Sequence, residues 1–145
     1  MTIYFYTPND EYGCFSNFSR HGIFLDDCYW PTVEHYFQAQ KFLDAEYRQK
    51  IARAPTPKAA KTLGWNRLLP IRADWDDKRD NLLRRGVQLK FETHAEIRNI
   101  LLSTGTEELV ENAPSDYYWG CGADGTGQNR LGQILMEVRD LLLGK

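Results

Sequence analysis

Cysteine is scarce in this chain, and its copies are widely separated, at Cys14, Cys28 and Cys121. Three scattered thiols supply neither a disulfide framework nor the paired spacing of a zinc site. The three histidines also lack metal-ligand spacing with carboxylates or cysteines. We therefore predict no metal centre and no cofactor. The odd number of cysteines favours a reducing compartment.

Long apolar runs are missing as well, and none approaches the roughly 20 residues that a transmembrane helix requires. The N-terminal segment MTIYFYTPND has neither the positive nor the apolar region of a secretion signal. Internal repeats, low-complexity tracts and long linkers are absent from the sequence. A chain of 145 residues fits one compact domain. We expect a single domain over residues 1–145, in the cytoplasm and without membrane contact.

The chain also lacks an excess of positive charge, since its formal net charge is −2 and no basic run stands out. Proteins that grip duplex DNA by its phosphates usually show a basic patch, so this class is disfavoured. A local basic pocket stays compatible with the sequence. Aromatic residues are plentiful at 13%, with four Trp and eight Tyr. Such rings build cores, and they also form platforms for flat ligands.

Local patterns predict short strands at Thr2 to Tyr6 and at Glu108 to Glu111. A hairpin is predicted where residues 23–25 and 28–30 flank Asp26–Asp27. Thr32 is the expected N-cap of a helix that runs without Gly or Pro to just before Pro55. The remaining predicted helices follow in chain order: Pro57 to Gly64, capped by Thr56; Asp74, as cap, to Lys90–Phe91; His94 to Ser103; and a last helix from about Asn129. Strands and helices do not alternate, so we predict an α+β fold that is predominantly α-helical.

A first group of functional candidates lies on the helix after Thr32, where Glu34, Gln38 and Lys41 share one stripe. Two phenylalanines flank this stripe, which is compatible either with a solvated polar face or with a face that lines a cleft. On the other side, His35, Ala39 and Leu43 are expected to face the core. Further along, Trp75 precedes Arg79 by one helical turn. This pair is either a hydrophobic anchor with a stacked neighbour or a stacking surface for a base.

A second group lies between Ser115 and Gly132. The string Gly-x-Gly-x-x-Gly that starts at Gly120 matches the dinucleotide fingerprint, but no βαβ unit surrounds it, so we interpret it as a false positive. A glycine-rich loop that leads into a helix can still place backbone N–H groups around a phosphate. At that helix start, Arg130 could bind phosphate in a bidentate manner. Asp116 is either a cap or a catalytic carboxylate.

Several segments together resemble the NADAR, or YbiA-like, N-glycosidases. They are CFSNF at residues 14–18, YWPTVEHYFQAQKF at 29–42, WDDKRDNLLRRGVQLKF at 75–91, and LLSTGTEELVE with SDYYWGCGADGTGQNRLGQILMEVR at 101–139. The resemblance covers nearly the whole chain in the right order. One departure is Leu83, where the family pattern has Met; this is a conservative exchange in a core position.

The resemblance implies a compact, mainly helical α+β domain that acts as a hydrolase. Members of the family remove a base from a phosphoribosylated pyrimidine intermediate of riboflavin synthesis, and others remove ADP-ribose from modified guanine in nucleic acid. Carried over by position, the key residues are Glu34, Trp75 and Asp116. The supporting residues are Lys41, Trp119, Asn129 and Arg130, with Ser16 and Asn17 as weaker candidates.

These residues suggest a mechanism. Asp116 would stabilise the sugar and its attacking water, and Glu34 would act as general acid and base, although their duties could be exchanged. Trp75 would stack on the base, and Lys41 or Arg130 would hold the phosphate. Alternatively, Lys41 attacks the opened sugar as an imine. This mechanism requires the carboxylates of Glu34 and Asp116 to serve one pocket. The rival class is a non-catalytic module that binds ADP-ribose or a nucleotide; nucleic acid would enter only as a modified substrate.

Overall fold

A computed structural model describes residues 1–66 and 69–144 of the chain. Within these residues the strands are β1 (Thr2–Phe5), β2 (Ile23–Leu25), β3 (Cys28–Trp30) and β4 (Glu108–Glu111). The helices are α1 (Val33–Gln40), α2 (Ala45–Ala52), α3 (Pro57–Gly64), α4 (Trp75–Thr93), α5 (Ala95–Ser103) and α6 (Arg130–Leu143). The six helices and four short strands of the described residues confirm the predicted helix-rich α+β class. None of the described helices is long and apolar enough to cross a membrane.

The chain folds as two compact units. The terminal unit consists of Met1–Ser19 and His94–Lys145, and the central unit consists of Arg20–Thr93. The predicted elements at Thr2 to Tyr6, at residues 108–111 and at the start of α6 all belong to the terminal unit and are confirmed to within a residue. The hairpin and the helix that carries Glu34 belong to the central unit.

In the terminal unit, β1 and β4 pair in parallel, with Ile3 opposite Leu109, and α6 packs against β4. Helix α6 carries an apolar stripe, and its residues Leu131, Ile134, Leu135 and Val138 are buried in the core. Full burial of one such side chain stabilises a fold by about 1.5–3 kcal/mol. The close approach requires Gly132, since a Cβ there would lie 2.1 Å from the Leu109 carbonyl oxygen.

In the central unit, β2 and β3 form the predicted antiparallel hairpin. Its turn residues Asp26 and Asp27 have φ angles of 57° and 60°. Positive φ at both positions is the requirement of a type I′ turn, which matches the natural twist of a two-stranded ribbon. Arg85 of α4 donates to the Asp26 carboxylate over 3.1 Å, which ties the hairpin to that helix.

Helix α1 begins where the sequence predicts. The Thr32 side chain accepts a hydrogen bond from the His35 backbone N–H over 3.2 Å, so one unpaired donor of the first turn is satisfied. Helix α4 passes α1 closely at Gly86, where a Cβ would lie 2.8 Å from the ring of Tyr36. The glycine that lowers the helix propensity of α4 is therefore the residue that admits the neighbouring ring.

The prediction of one uninterrupted helix from Thr32 to just before Pro55 is wrong. Helix α1 ends at Gln40, and α2 begins at Ala45. The Lys41 carbonyl accepts the Arg72 backbone N–H over 2.8 Å, and the Asp44 side chain caps α2 by accepting the Tyr47 N–H over 2.8 Å. Leu43 was expected on the core side, but it lies in this break and its side chain is 73% exposed.

Candidate active site

The stripe predicted on α1 is buried, which rules out its interpretation as a solvated polar face; that it lines a cleft stays a prediction. Glu34, Gln38 and Lys41 are 7%, 4% and 6% exposed, so they do not form a solvated face. Glu34 lies in the first turn of α1, where the partial positive charge of the helix terminus favours a carboxylate. Gln38 Nε2 donates to Glu34 Oε2 over 2.8 Å, one helical turn further along. The carboxylate is thus oriented by its own helix.

The residue after Glu34 fixes the start of α1 in the core. His35 is fully buried, with Nε2 3.0 Å from the Ala54 carbonyl oxygen and Nδ1 2.8 Å from Thr32 Oγ1. Because a carbonyl only accepts, Nε2 carries the proton and Nδ1 of the neutral ring accepts from the Thr32 hydroxyl. Burial lowers the pKa of His35 below its usual 6.5, against the opposing effect of the bond to Ala54. The neutral His35 ring thus connects the N-terminal end of α1, at Thr32, to the backbone at Ala54.

Gln38 packs against the last residue of α3. A Cβ at Gly64 would lie 1.9 Å from Gln38 Oε1 and 2.7 Å from its Cδ. No other residue type fits at this position without displacing the amide of Gln38. The sequence signals Gly64 as the end of α3, but its contact with Gln38 depends on how α3 packs against α1.

The ammonium group of Lys41 is held at the same corner of the central unit. Its Nζ lies 3.4 Å from the Gly64 carbonyl oxygen and 4.6 Å from the ring centroid of Trp65. The carbonyl and the ring face compensate for the lost hydration of a buried cation. Trp65 itself is 56% exposed. Sequence reasoning missed Trp65, because nothing in the pattern links it to Lys41.

Trp75 lies beside α1 as well. It is the first residue of α4, is partly exposed, and its ring centroid lies 5.1 Å from that of Phe37 at an angle of 48°. Phe37 therefore supports one side of the indole, as a stacking platform requires. The central unit thus places Glu34 and Gln38 on α1 and Lys41 at its C-cap, while Gly64 of α3 and Trp75 of α4 pack against α1.

Two open clefts in the central unit lie elsewhere, and their volumes are about 700 Å³ and about 840 Å³. Both are formed by α2 and its neighbours and share Lys50 and Arg53. One carboxylate in the second cleft, Asp44, already caps α2. Neither cleft is lined by Glu34, Lys41 or Trp75, so we do not assign the reaction to them.

In the terminal unit, the side chain of Asp116 orients the aromatic residues that follow it. Its Oδ1 accepts the backbone N–H of Tyr118 over 3.0 Å and that of Trp119 over 2.8 Å. The two rings meet edge to face, with centroids 4.7 Å apart. The sequence permits Asp116 to be a cap or a reactive carboxylate, and this geometry is compatible with both. Oδ1 caps the two backbone amides, and Oδ2 takes no part in these two bonds.

The glycine-rich loop does not form a cradle of backbone N–H groups for phosphate. The five successive amides from Gly127 to Leu131 all donate to the carbonyl oxygens of residues 117–121, over 2.7 to 3.0 Å. This expectation from the sequence is therefore corrected: the segment pairs with itself before it enters α6. No strand follows α6 within the described residues, so no βαβ unit surrounds the glycine string.

Asn129 joins the loop to the sheet. Its backbone is left-handed, with φ of 53°, and its side-chain amide bridges to β4. Oδ1 accepts the Glu111 N–H over 2.9 Å, and Nδ2 donates to the Leu109 carbonyl oxygen over 2.9 Å. Next to it, Arg130 Nη1 donates to Gln133 Oε1 over 2.6 Å. Asn129 therefore holds the loop in place, and its role as a direct substrate contact stays a prediction.

The two weaker candidates lie just after the short 3-10 turn at Gly13–Phe15. Ser16 is buried, and its Oγ accepts the Phe18 N–H over 3.1 Å. Asn17 is partly exposed, but its Oδ1 is buried and accepts no hydrogen bond. In the terminal unit, the candidates therefore occupy two segments. One holds Ser16 and Asn17, and the other is the loop that leads into α6, where backbone hydrogen bonds connect the segment of Asp116 and Trp119 to Asn129 and Arg130.

Comparison with known proteins gives a consistent answer. The NADAR domain model matches residues 4–143. An N-glycosidase of Nostoc punctiforme is 53% identical, and the match covers 97% of this chain and 92% of that protein. A riboflavin biosynthesis protein of maize, PYRR, is 40% identical over 98% of this chain, which corresponds to 25% of the maize protein.

A solved structure extends the likeness to three dimensions. The NMR structure of the Escherichia coli protein YbiA matches with a TM-score of 0.91 and 47% identity, and the match covers 99% of this chain and 85% of that one. The curated counterpart from Escherichia coli K12 is named N-glycosidase YbiA. With a family model across almost the whole chain and relatives near 50% identity, this chain belongs to the NADAR family.

Proposed function

We propose that this chain hydrolyses the N-glycosidic bond of phosphoribosylamino-pyrimidine intermediates of riboflavin biosynthesis and releases ribose 5-phosphate. The chain is an N-glycosidase, as are its relatives of about 50% identity. The observation that carries the assignment within the structure is Glu34, a carboxylate almost wholly buried and oriented by Gln38 on α1, the helix whose C-cap is Lys41. The substrate class follows from the relatives named for riboflavin biosynthesis.

The reaction breaks the bond between the anomeric carbon and the base nitrogen. The transition state is oxocarbenium-like, so it requires negative charge near the sugar, a proton for the departing base and an activated water. We assign Glu34 to proton transfer and Asp116 to the sugar and the water. Two carboxylates in different environments can divide this work, because burial and hydrogen bonding set their protonation separately. The proposed reaction uses no cofactor.

Three further residues bind the substrate in this proposal. Trp75 stacks on the base, and one such stack contributes about 1–3 kcal/mol. Arg130 binds the phosphate through its guanidinium group. Lys41 has two candidate duties. Its ammonium could hold the phosphate. Alternatively, its deprotonated amine could attack the anomeric carbon of the ring-opened sugar and expel the base, and water would then hydrolyse the imine formed between Lys41 and the sugar. Trapping with borohydride separates them, because only the imine gives a stable adduct on Lys41.

The direct test compares two substrates and two variants. Chromatography follows the free base released from a phosphoribosylamino-pyrimidine and the ADP-ribose released from an oligonucleotide carrying ADP-ribosylated guanine, each at low and physiological salt. We expect the small molecule to be preferred, since the chain has no basic excess. Glu34→Gln and Asp116→Asn should each lower turnover by about 10²–10⁴-fold with the fold intact.

Three outcomes would contradict this proposal. A clear preference for the oligonucleotide would transfer the activity to removal of ADP-ribose from nucleic acid. Binding of the ligands without release of base would point to a non-catalytic nucleotide-binding module. Turnover within tenfold of wild type in both variants would remove the two carboxylates from the mechanism.

We also propose a cytoplasmic location, on the cysteine content of the sequence.

A further inference from the structure

We propose that Gln38 is the positioning residue for Glu34, and that Gly64 is a glycine because the amide of Gln38 occupies the space of a side chain there. The inference rests on the proposed function, in which Glu34 transfers the proton. It concerns two residues that are neither key nor supporting residues in the resemblance to the family. Neither is expected to touch the bond that breaks.

The orientation of the Gln38 amide follows from its neighbours. Gln38 Nε2 lies 2.8 Å from Glu34 Oε2, and a carboxylate can only accept, so the NH₂ end must face Glu34. The carbonyl end therefore points to Gly64. Gln38 Oε1 is buried and accepts no hydrogen bond. The Gln38 amide donates to Glu34 although its own oxygen then has no donor, which indicates that its position serves the Glu34 carboxylate.

Gly64 makes this orientation sterically feasible. The position that a Cβ would take at Gly64 is only 1.9 Å from Gln38 Oε1, so any side chain there would force the amide away. Gly64 ends α3, and its φ angle is not positive, so backbone strain does not require a glycine at this position. The close approach of Gln38 is the physical reason for the missing side chain.

The consequence for Glu34 is chemical as well as geometric. Gln38 donates to Oε2, so Oε1 lies outside this bond. The bond also fixes the orientation of the Glu34 carboxylate plane. A hydrogen bond to the charged form of an acid favours that form, and it does so more strongly where water is excluded. Both residues are less than 10% exposed. Removing the donor should therefore misorient Glu34 and also make it hold its proton to higher pH.

The test is Gln38→Met, with Gln40→Met as the matched control. Gln40 lies on the same helix, is also 4% exposed and has no contact with Glu34 among its hydrogen bonds. Purified variants are assayed for base release from the phosphoribosylamino-pyrimidine over a range of pH. We expect Gln38→Met to lower kcat by about 10- to 100-fold with little change in KM, because a small misplacement of a reacting group costs up to about 100-fold. Glu34 sets either the acidic or the basic limb of the pH–rate profile, and in this variant that limb should move to higher pH.

Two more variants keep the test decisive. Gly64→Ala should reproduce the kinetic effect of Gln38→Met, since the added methyl group displaces the amide. Gln38→Glu keeps the size of the side chain; its acid can donate to Glu34 only when protonated, so its activity relative to wild type should rise as pH falls. Unshifted pH profiles in both Gln38 variants, or equal losses in Gln38→Met and Gln40→Met, would overturn the inference. Absence of base release by the wild-type protein would instead overturn the proposed function, and full activity of Glu34→Gln would remove Glu34 from its mechanism.

Discussion

Thr32→Val tests how the start of α1, and with it Glu34, is held. The Thr32 hydroxyl has two partners: it accepts the His35 backbone N–H over 3.2 Å and lies 2.8 Å from His35 Nδ1. Valine has nearly the same shape, and it keeps the β-branched preference for the extended backbone seen at this position. The substitution therefore removes the hydroxyl and very little else.

The expected loss follows from these two bonds. Replacing an N-cap threonine by a residue that cannot cap costs about 1 kcal/mol. Leaving the buried Nδ1 of His35 without a donor costs about 1–3 kcal/mol more. The sum is about 2–4 kcal/mol, a large part of the about 5–15 kcal/mol that a folded domain has. At about 4 °C per kcal/mol for a chain of this size, Tm should fall by about 8–16 °C.

The measurement is urea and thermal unfolding followed by circular dichroism, with Thr32→Ser as control. Serine keeps the hydroxyl and loses one buried methyl group, which costs about 1 kcal/mol. We expect Thr32→Val to lose clearly more stability than Thr32→Ser, at an unchanged urea m-value. A loss in Thr32→Val no greater than the loss of about 1 kcal/mol in Thr32→Ser would put the two hydrogen bonds below the expected sum of about 2–4 kcal/mol, and the argument from Thr32 would then fail.

Two predictions remain. Trp75→Ala should lower kcat/KM, whereas Trp75→Phe should retain part of it because a ring still packs on Phe37. Equal losses of kcat/KM in both variants, with both proteins unfolded, would show that Trp75 is purely a core residue. The second concerns His35, whose burial lowers its pKa below 6.5. The unfolded chain then binds the proton more readily, so the free energy of unfolding should be level above pH 6.5 and fall as pH drops through 6.5 towards the lowered pKa. Urea unfolding of wild type and His35→Gln at several pH values checks this, and equal slopes in both proteins below pH 6.5 would contradict it.

Local signals in the sequence determined much of the fold, because their physics acts within a few residues. A cap bonds an amide three positions ahead, as Thr32 and Thr56 do. The turn at Asp26–Asp27 depends on two backbone angles. The apolar stripe of α6 repeats with the helical period, so its buried side could be read directly.

Family motifs in the sequence also singled out Glu34, Trp75 and Asp116 as the residues to examine. They did not show how these side chains are held. Spacing alone could not tell a solvated stripe from a buried one, since Glu34, Gln38 and Lys41 follow the same period in either case. Burial of that stripe depends on what packs over α1, which is not encoded at positions 34–41.

Tertiary structure decided the features that depend on distant partners. Helix α1 stops after Gln40 although the sequence permits it to continue, because the amide of Arg72 bonds the carbonyl of Lys41 from 31 positions away. Gly64 meets Gln38 only through the packing of α3. The loop amides before α6 could have faced a phosphate by composition, but in the folded chain they pair with the carbonyls of residues 117–121. The residues next to each position in the sequence do not specify these partners, because each contact forms only when the folded chain brings separate segments together.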